Sequence, residues 1–199
     1  MSKEKTQKGR REEIIQAALT VYSERGVFNV RIEEVASAAG IGKGTVYEYF
    51  RSKEELMSAA VRYDMEDLAS HVKGRVDEEP TVRGKIQAMM ETVMARRQQS
   101  CYKGFDMNPT NIGSGMEELR SLIVEQNEKW QGWLEEIIAQ GVAAGEIRPV
   151  EPQMFLGAVM GAVMNMVRPW RNSVWENADP AEAARQVTEL FFEGIRKRP

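Results

Sequence analysis

One cysteine and one histidine are present in 199 residues. Cys101 alone closes no internal disulfide, which fits a reducing compartment. With His71 it builds no metal site at ligand spacing, and no nucleophile–base–orienter set is in view. Walker-type and dinucleotide-type glycine motifs are missing as well. An enzyme is thus the least supported class, no metal site is expected, and no cofactor is implied. Apolar runs long enough for a bilayer are lacking too. The longest, Met154 to Val167, contains Asn165 and falls short of the roughly 20 residues a span needs. It reads as a buried helix, and no membrane partner is expected. Met1 to Arg11 is polar with no apolar stretch behind it, so no signal peptide is expected and the location is taken as cytoplasmic. There is no internal repeat and no low-complexity segment.

A large excess of one charge is also lacking, since the net charge is −3. The charge is uneven, however. Residues 1–62 carry eleven Lys/Arg against nine Asp/Glu, and the remainder carries sixteen against twenty-one. The first third is therefore the part suited to a polyanion.

What is present in that third is a pattern. From Arg10 to Arg25, Ile14, Ile15, Ala18, Leu19 and Tyr22 make a helical face, and Gly26 stands where the helix should stop. Val27 and Phe28 are expected to tuck under the helices that follow. In Arg31 to Phe50 (RIEEVASAAGIGKGTVYEYF), Ile32, Val35, Ala36 and Ala39 form a one-sided stripe. Gly40 follows as a left-handed C-terminal cap. After the turn Gly40-Ile41-Gly42, a second short helix has only Val46 and Phe50 as inward anchors. Helix–turn–helix is the layout of a DNA-reading motif, although helical proteins without DNA also use it. Ser52 followed by Glu55 is a capping-box signature for a long helix reaching about Lys73, with Met57, Val61, Met65, Leu68 and Val72 as its stripe.

On a wheel of about 100° per residue, Val46 and Phe50 face inward. Gly44, Thr45 and Glu48 then point away, with Tyr47 and Tyr49 on the flanks. Lys43 stands at the helix N-terminus, where backbone amides and the dipole favour phosphate. Gly44 permits close backbone approach, and Thr45 offers a hydroxyl and a methyl to a base edge. Tyr47 and Tyr49 can stack or donate to phosphate, and Lys53 adds a further phosphate contact. The blander reading makes the tyrosines caps of a small core.

The run Gly40 to Leu56, GIGKGTVYEYFRSKEEL, preceded by Ile-Glu-Glu-Val-Ala and a helix ending near Gly26, resembles the N-terminal domain of the TetR family of transcriptional repressors over about residues 8–68. The resemblance implies an all-α fold of about nine helices: a three-helix helix-turn-helix head (motif 31–50), then a helical bundle over 75–199 that binds an effector and forms a dimer. It implies DNA contacts from Lys43, Gly44, Thr45, Tyr47, Tyr49 and Lys53. Three positions depart from the family pattern. Arg31 replaces the usual capping Thr or Ser, so the cap is missing, though arginine still reaches a phosphate. Gly42 precedes Lys43 where Ser or Thr is common. Glu48 faces outward, where it either accepts from a cytosine amino group or pairs with Arg51 at i+3; the pairing is the favoured reading.

The body reads as about five helices, four of them long and one no more than a short turn within Cys101 to Gly115. Glu78-Glu79-Pro80 opens the first, with proline in its first turn and Val82, Ile86, Met89, Met90 and Val93 as its stripe to about Gln99. Cys101 to Gly115 reads as loop. Met116 to Gly145 is a long helix with Leu119, Leu122, Ile123, Gln126, Trp130, Trp133, Leu134, Ile137 and Ile138 on one side. Pro152 to about Trp170 is the apolar helix. Asp179 as N-cap and Pro180 at the first helical position open the last, with Ala184, Val187, Phe191 and Ile195 as its stripe. A helix apolar on all sides must be covered on all sides. Family members dimerise through their last two long helices, which nominates Phe155, Val159, Gly161, Val187, Phe191 and Ile195 for an interface. Two heads one DNA turn apart would read a palindromic operator.

Methionine fills irregular apolar space and promiscuous binding surfaces, and the chain has 12. A methionine stripe is more often plain core. By the resemblance, Met89, Met90, Met94, Phe105, Met107, Trp130, Trp133, Met160 and Met164 converge on a cavity for a small-molecule effector, expected to be lipophilic or aromatic, with Asn165 as an orienting contact or a satisfied core amide. The competing reading is a helical adaptor that no longer binds DNA; Lys43, Thr45, Tyr47, Tyr49 and Lys53 argue against it.

Overall fold

A computed structural model describes residues 2–99, 112, 116–167 and 178–195; the side chains at 2–6, 27, 97–99, 164–167 and 194–195 lie outside that description. The described residues form eight α-helices and no strand: α1 (Ser2–Arg25), α2 (Ile32–Ala38), α3 (Lys43–Tyr49), α4 (Lys53–Asp77), α5 (Val82–Gln99), α6 (Glu117–Ala143), α7 (Pro152–Val167) and α8 (Pro180–Ile195), with a 3-10 turn at Val27–Asn29. The all-α expectation is borne out, with eight rather than about nine helices among the described residues. Contacts divide the chain into two compact units, Met1–Asp67 with Gln99–Glu125, and Leu68–Gln98 with Gln126–Pro199.

The first unit is built on the predicted stripes. Ile14, Ala18 and Tyr22 of α1, Val35 of α2, Val46 and Phe50 around α3, and Leu56, Met57 and Val61 of α4 are all buried. Phe50 is 1 % exposed, so truncating it to alanine would cost about 3–5 kcal/mol. The guanidinium of Arg11 lies over its ring at 4.7 Å from the centroid, a cation–π contact. Leu119, Leu122 and Ile123 of α6 join the same core.

Short-range chemistry sets most helix ends. Gly40 has φ 66°, and the amides of Ile41 and Gly40 bond the carbonyls of Ala36 and Ser37 at 2.9 and 3.1 Å. That is a Schellman closure, and its left-handed residue is best supplied by glycine. Ser52 Oγ accepts from the Glu55 amide at 3.1 Å, as the capping box requires. The return half differs by one residue, because the Glu55 carboxylate accepts from the amide of Arg51 at 2.7 Å. Asp179 caps α8 by accepting from the Glu182 amide at 3.0 Å.

Three expectations are corrected. Helix α1 begins at Ser2 rather than Arg10; Ser2 to Gly9 contains no proline, and its lysines, glutamate and glutamine are good helix formers. Helix α5 begins one residue after Thr81, whose hydroxyl accepts from the Gly84 amide at 3.0 Å. Pro80 therefore precedes the cap instead of occupying the first turn. Phe28 is 47 % exposed rather than tucked under α2 and α3.

The second unit packs Val72 and Val76 of α4, the α5 stripe with Met94, the second half of α6, and one face each of α7 and α8. A Cβ at Gly141 would stand 2.3 Å from Val82 Cγ2, so only glycine lets the start of α5 approach α6 there. The Val82 amide is also held by the Glu146 carboxylate at 2.8 Å. On α8 the buried line is Ala184, Thr188 and Phe192, while Val187 and Phe191 are half-buried beside it. The sequence stripe is displaced because Thr188, a polar residue, takes a core position.

Candidate nucleic-acid interface

With Val46 and Phe50 buried as anchors, α3 turns a small polar surface outward. Gly44 and Glu48 are exposed, Tyr47 is 44 % exposed, and Thr45 is half-exposed. Tyr49 is half-buried against the first core, so of the two tyrosines Tyr47 is the freer. Gly42, Lys43 and Gly44 open the helix without a side-chain cap, which leaves first-turn amides facing outward.

Arg31 supplies no side-chain cap to α2, as expected. Its side chain has no acceptor to offer. Its own amide instead donates to Glu34 Oε2 at 2.8 Å, and the other oxygen of Glu34 takes the guanidinium of Arg25. Glu34 thus closes the entry of α2 from inside the helix and ties it to the end of α1. The guanidinium of Arg31 is exposed, makes no salt bridge among the described residues, and adds, behind the Lys43 hydrogen bond, to the positive charge that lowers the Glu33 carboxyl.

Two of the expected phosphate contacts are engaged within the chain. Lys43 Nζ meets Glu33 Oε1 at 2.6 Å and lies 5.9 Å from the centre of the Tyr47 ring. Their hydrogen bond holds the Glu33 carboxyl below its ordinary range and raises the Lys43 ammonium. Lys53 Nζ donates to the carbonyl of Phe28 at 3.1 Å. Glu33 was not singled out from the sequence. Ten residues separate it from Lys43, and only the turn between α2 and α3 brings them together.

The favoured pairing of Glu48 with Arg51 is not formed. Arg51 uses its backbone amide on Glu55, and among the described residues no ion pair reaches either the Glu48 carboxylate or the Arg51 guanidinium. Glu48 therefore stands as an unpaired carboxylate on the outward face of α3.

The residues nominated for an effector fall mostly in the second unit. Met89, Met90 and Met94 are 3 %, 0 % and 2 % exposed and belong to its core. Trp130 and Trp133 pack against that core in a T-shaped pair, centroids 5.5 Å apart, and Met160 is half-buried. Phe105 and Met107 lie outside the described residues, as do the side chains of Met164 and Asn165. An open groove of about 650 Å³ lies elsewhere, in the first unit between α1 and the end of α2, lined by Glu12, Glu13, Gln16 and Thr20 among others. It contains none of the nominated residues.

Of the nominated interface, Phe155 and Val159 are 6 % and 0 % exposed; they are taken up by their own core, and Phe155 meets Phe191 edge-on at 6.1 Å. The exposed side of α7 is Met154, Gly157, Ala158 and Gly161. Met154 is 76 % exposed, and so is Leu190 on α8. The side chain of Ile195 is outside the description.

Residues 14–60 match the family model described as bacterial regulatory proteins, tetR family. Along most of its length the chain is also similar to a transcriptional repressor, KstR2 of Rhodococcus jostii (strain RHA1): 25% identity over 199 residues, covering 94% of this chain and 91% of that one. Two solved structures share the fold. The transcriptional regulator FadR from Bacillus subtilis, in complex with stearoyl-CoA, has a TM-score of 0.77 at 22% identity, covering 93% of this chain and 99% of that one. AibR, in complex with isovaleryl coenzyme A and operator DNA, has a TM-score of 0.71 at 22% identity, covering 91% and 97%. Motif, head geometry and relatives agree: residues 14–60 carry a domain of the tetR family of bacterial regulatory proteins, and the chain as a whole is similar to regulators of that kind.

Proposed function

We propose that this protein is a transcriptional repressor that binds a palindromic operator as a homodimer and leaves it when a lipophilic acyl effector binds the body. The observation that carries the reading is the build of α3. Two buried anchors hold it, and its outward face displays Gly44, Thr45, Tyr47 and Glu48, with Lys43 at its start. Such a helix suits the major groove, with base contacts from its face and phosphate contacts from Arg31, Lys43 and Lys53 around it. One short helix specifies few base pairs, so a second head is needed. The exposed apolar side of α7 with Leu190 of α8 supports a helical interface between two copies. In that interface Met154, Gly157, Ala158, Gly161 and Leu190 replace Phe155 and Val159 as the meeting surface.

The effector reading is supported by the half-buried indole pair, by the methionine-rich core beside it, and by the acyl-CoA ligands of FadR and AibR. No described helix is long and apolar enough to cross a membrane, in keeping with a cytoplasmic site of action. The decisive experiment is a selection of bound sequences from random duplex DNA, repeated with a panel of acyl-CoA compounds. Enrichment of a palindrome whose affinity falls steeply with salt, and its release by one of the panel, is the expected result. Only sequence-indifferent, weak binding would favour a helical adaptor instead.

A further inference from the structure

Among its described residues the second unit holds one buried polar side-chain atom without a hydrogen-bond partner. Gln126 is 3 % exposed, and its Nε2 has no hydrogen-bond partner among the described residues. A buried amide without a partner is costly, by an amount comparable to a lost hydrogen bond, and most native groups avoid it. Gln126 stands on the inward stripe of α6, four residues before Trp130 and seven before Trp133, so the three share one face of the helix. The two indoles touch each other edge-on and are themselves only half-buried. A donor with no acceptor and an incompletely covered aromatic pair thus lie along the same strip.

We propose that the Gln126 amide is the polar contact of the effector site, donating to the carbonyl oxygen of an acyl thioester whose chain lies along Trp130 and Trp133. The proposal rests on the effector reading above and adds to it the atom that is recognised. Among the described residues, the buried polar side chains of the second unit are Gln126 and Thr188, both neutral. Thr188 donates only to the thioether of Met90, at 3.8 Å. Among the described residues no buried cation is on hand to match a carboxylate, and an unmatched buried charge is strongly disfavoured. A neutral carbonyl suits the site, and a free fatty acid does not.

The test compares palmitoyl-CoA with S-hexadecyl-CoA, the thioether that lacks the carbonyl oxygen, and with palmitic acid, by calorimetric titration of the full-length protein. Wild type should bind the thioester about tenfold more tightly than the thioether, the effect of one hydrogen bond to an otherwise unpaired group, and should bind palmitic acid more weakly still. Gln126→Leu, with Gln126→Met as a second apolar variant, should bind thioester and thioether alike. Its thermal midpoint should stay level or rise, because an unsatisfied buried group has been removed. A merely structural glutamine predicts the reverse, a lower midpoint with the ligand preference intact, and that result overturns the proposal. So does wild-type protein indifferent to the carbonyl, which would leave the effector reading standing. Failure of all three compounds to bind or to release operator DNA would overturn both.

Discussion

At Lys43 two anions compete for one ammonium: the Glu33 carboxylate, 2.6 Å away, and the phosphate that the DNA reading assigns to it. Glu33 is shifted down and Lys43 up by their hydrogen bond. The pair therefore forms above the ordinary carboxylate range, is lost in acid as Glu33 protonates, and is lost in strong base as Lys43 deprotonates. It is intact at neutral pH, where operator binding would have to open it. Glu33→Gln is expected to tighten operator binding a few-fold, the scale of an exposed ion pair. Lys43→Gln should weaken it and lower the slope of affinity against salt by about one. Binding isotherms over a salt series check both, and a Glu33→Gln variant that binds more weakly would mean the pair positions Lys43 instead of withholding it. Glu48 presents a different case, since its expected partner is engaged elsewhere. Glutamate suits a cytosine amino group and glutamine suits adenine. Glu48→Gln should accordingly move the preferred base from C towards A at one position of each half-site in a sequence selection. An unchanged preference would exclude a base contact.

Helix ends were the most legible elements, because capping is decided within a few residues. Gly40, Ser52 and Asp179 act where the sequence placed them, and Thr81 could have been found by the same rule. Faces were less legible. The stripe of α6 reads as one continuous run, yet Leu119 to Ile123 serve the first core and Leu134 to Ile138 the second. On α8 a threonine displaced the expected line. The start of α8 also carries a testable charge cluster. Arg185 donates to both oxygens of Glu182 at 2.6 and 2.8 Å, and Gln186 donates to one of them at 2.7 Å. Together they lower the Glu182 pKa from 4.5 to about 2. A depressed carboxyl stabilises the fold above its ordinary pKa, and that contribution disappears as pH falls from 4.5 to about 2. Glu182→Gln should flatten the stability–pH curve within this window. The effect should be small and strongest at low salt, since the group is exposed; denaturant titrations at several pH values would show it.

For the whole molecule, the question is what covers α7 and α8. Phe155 and Val159 were natural interface choices because the sequence shows α7 as apolar nearly all round. The packing claims them for the second unit and leaves Met154, Gly157, Ala158, Gly161 and Leu190 exposed, which is the surface proposed for the partner. Ala158→Glu or Leu190→Glu should give folded monomers by sedimentation, with operator affinity reduced at least tenfold through loss of the second half-site. A variant that stays dimeric would remove this surface from the interface. Substituting Val159 would be a poorer test, because a charge at a fully buried position destabilises the protomer itself.

By itself the sequence determined the helical class, the ends of most helices and the DNA-reading motif. All of these rest on spacings of three to seven residues and on side chains that act on their own backbone. Only the tertiary structure decided the rest. It placed Glu33 against Lys43 and shared α6 between two cores. It left Phe28 at the surface and turned Phe155 and Val159 inward. It also left Gln126 Nε2 buried without a partner among the described residues. Each of these depends on groups far apart in the chain, whose distances no local pattern records.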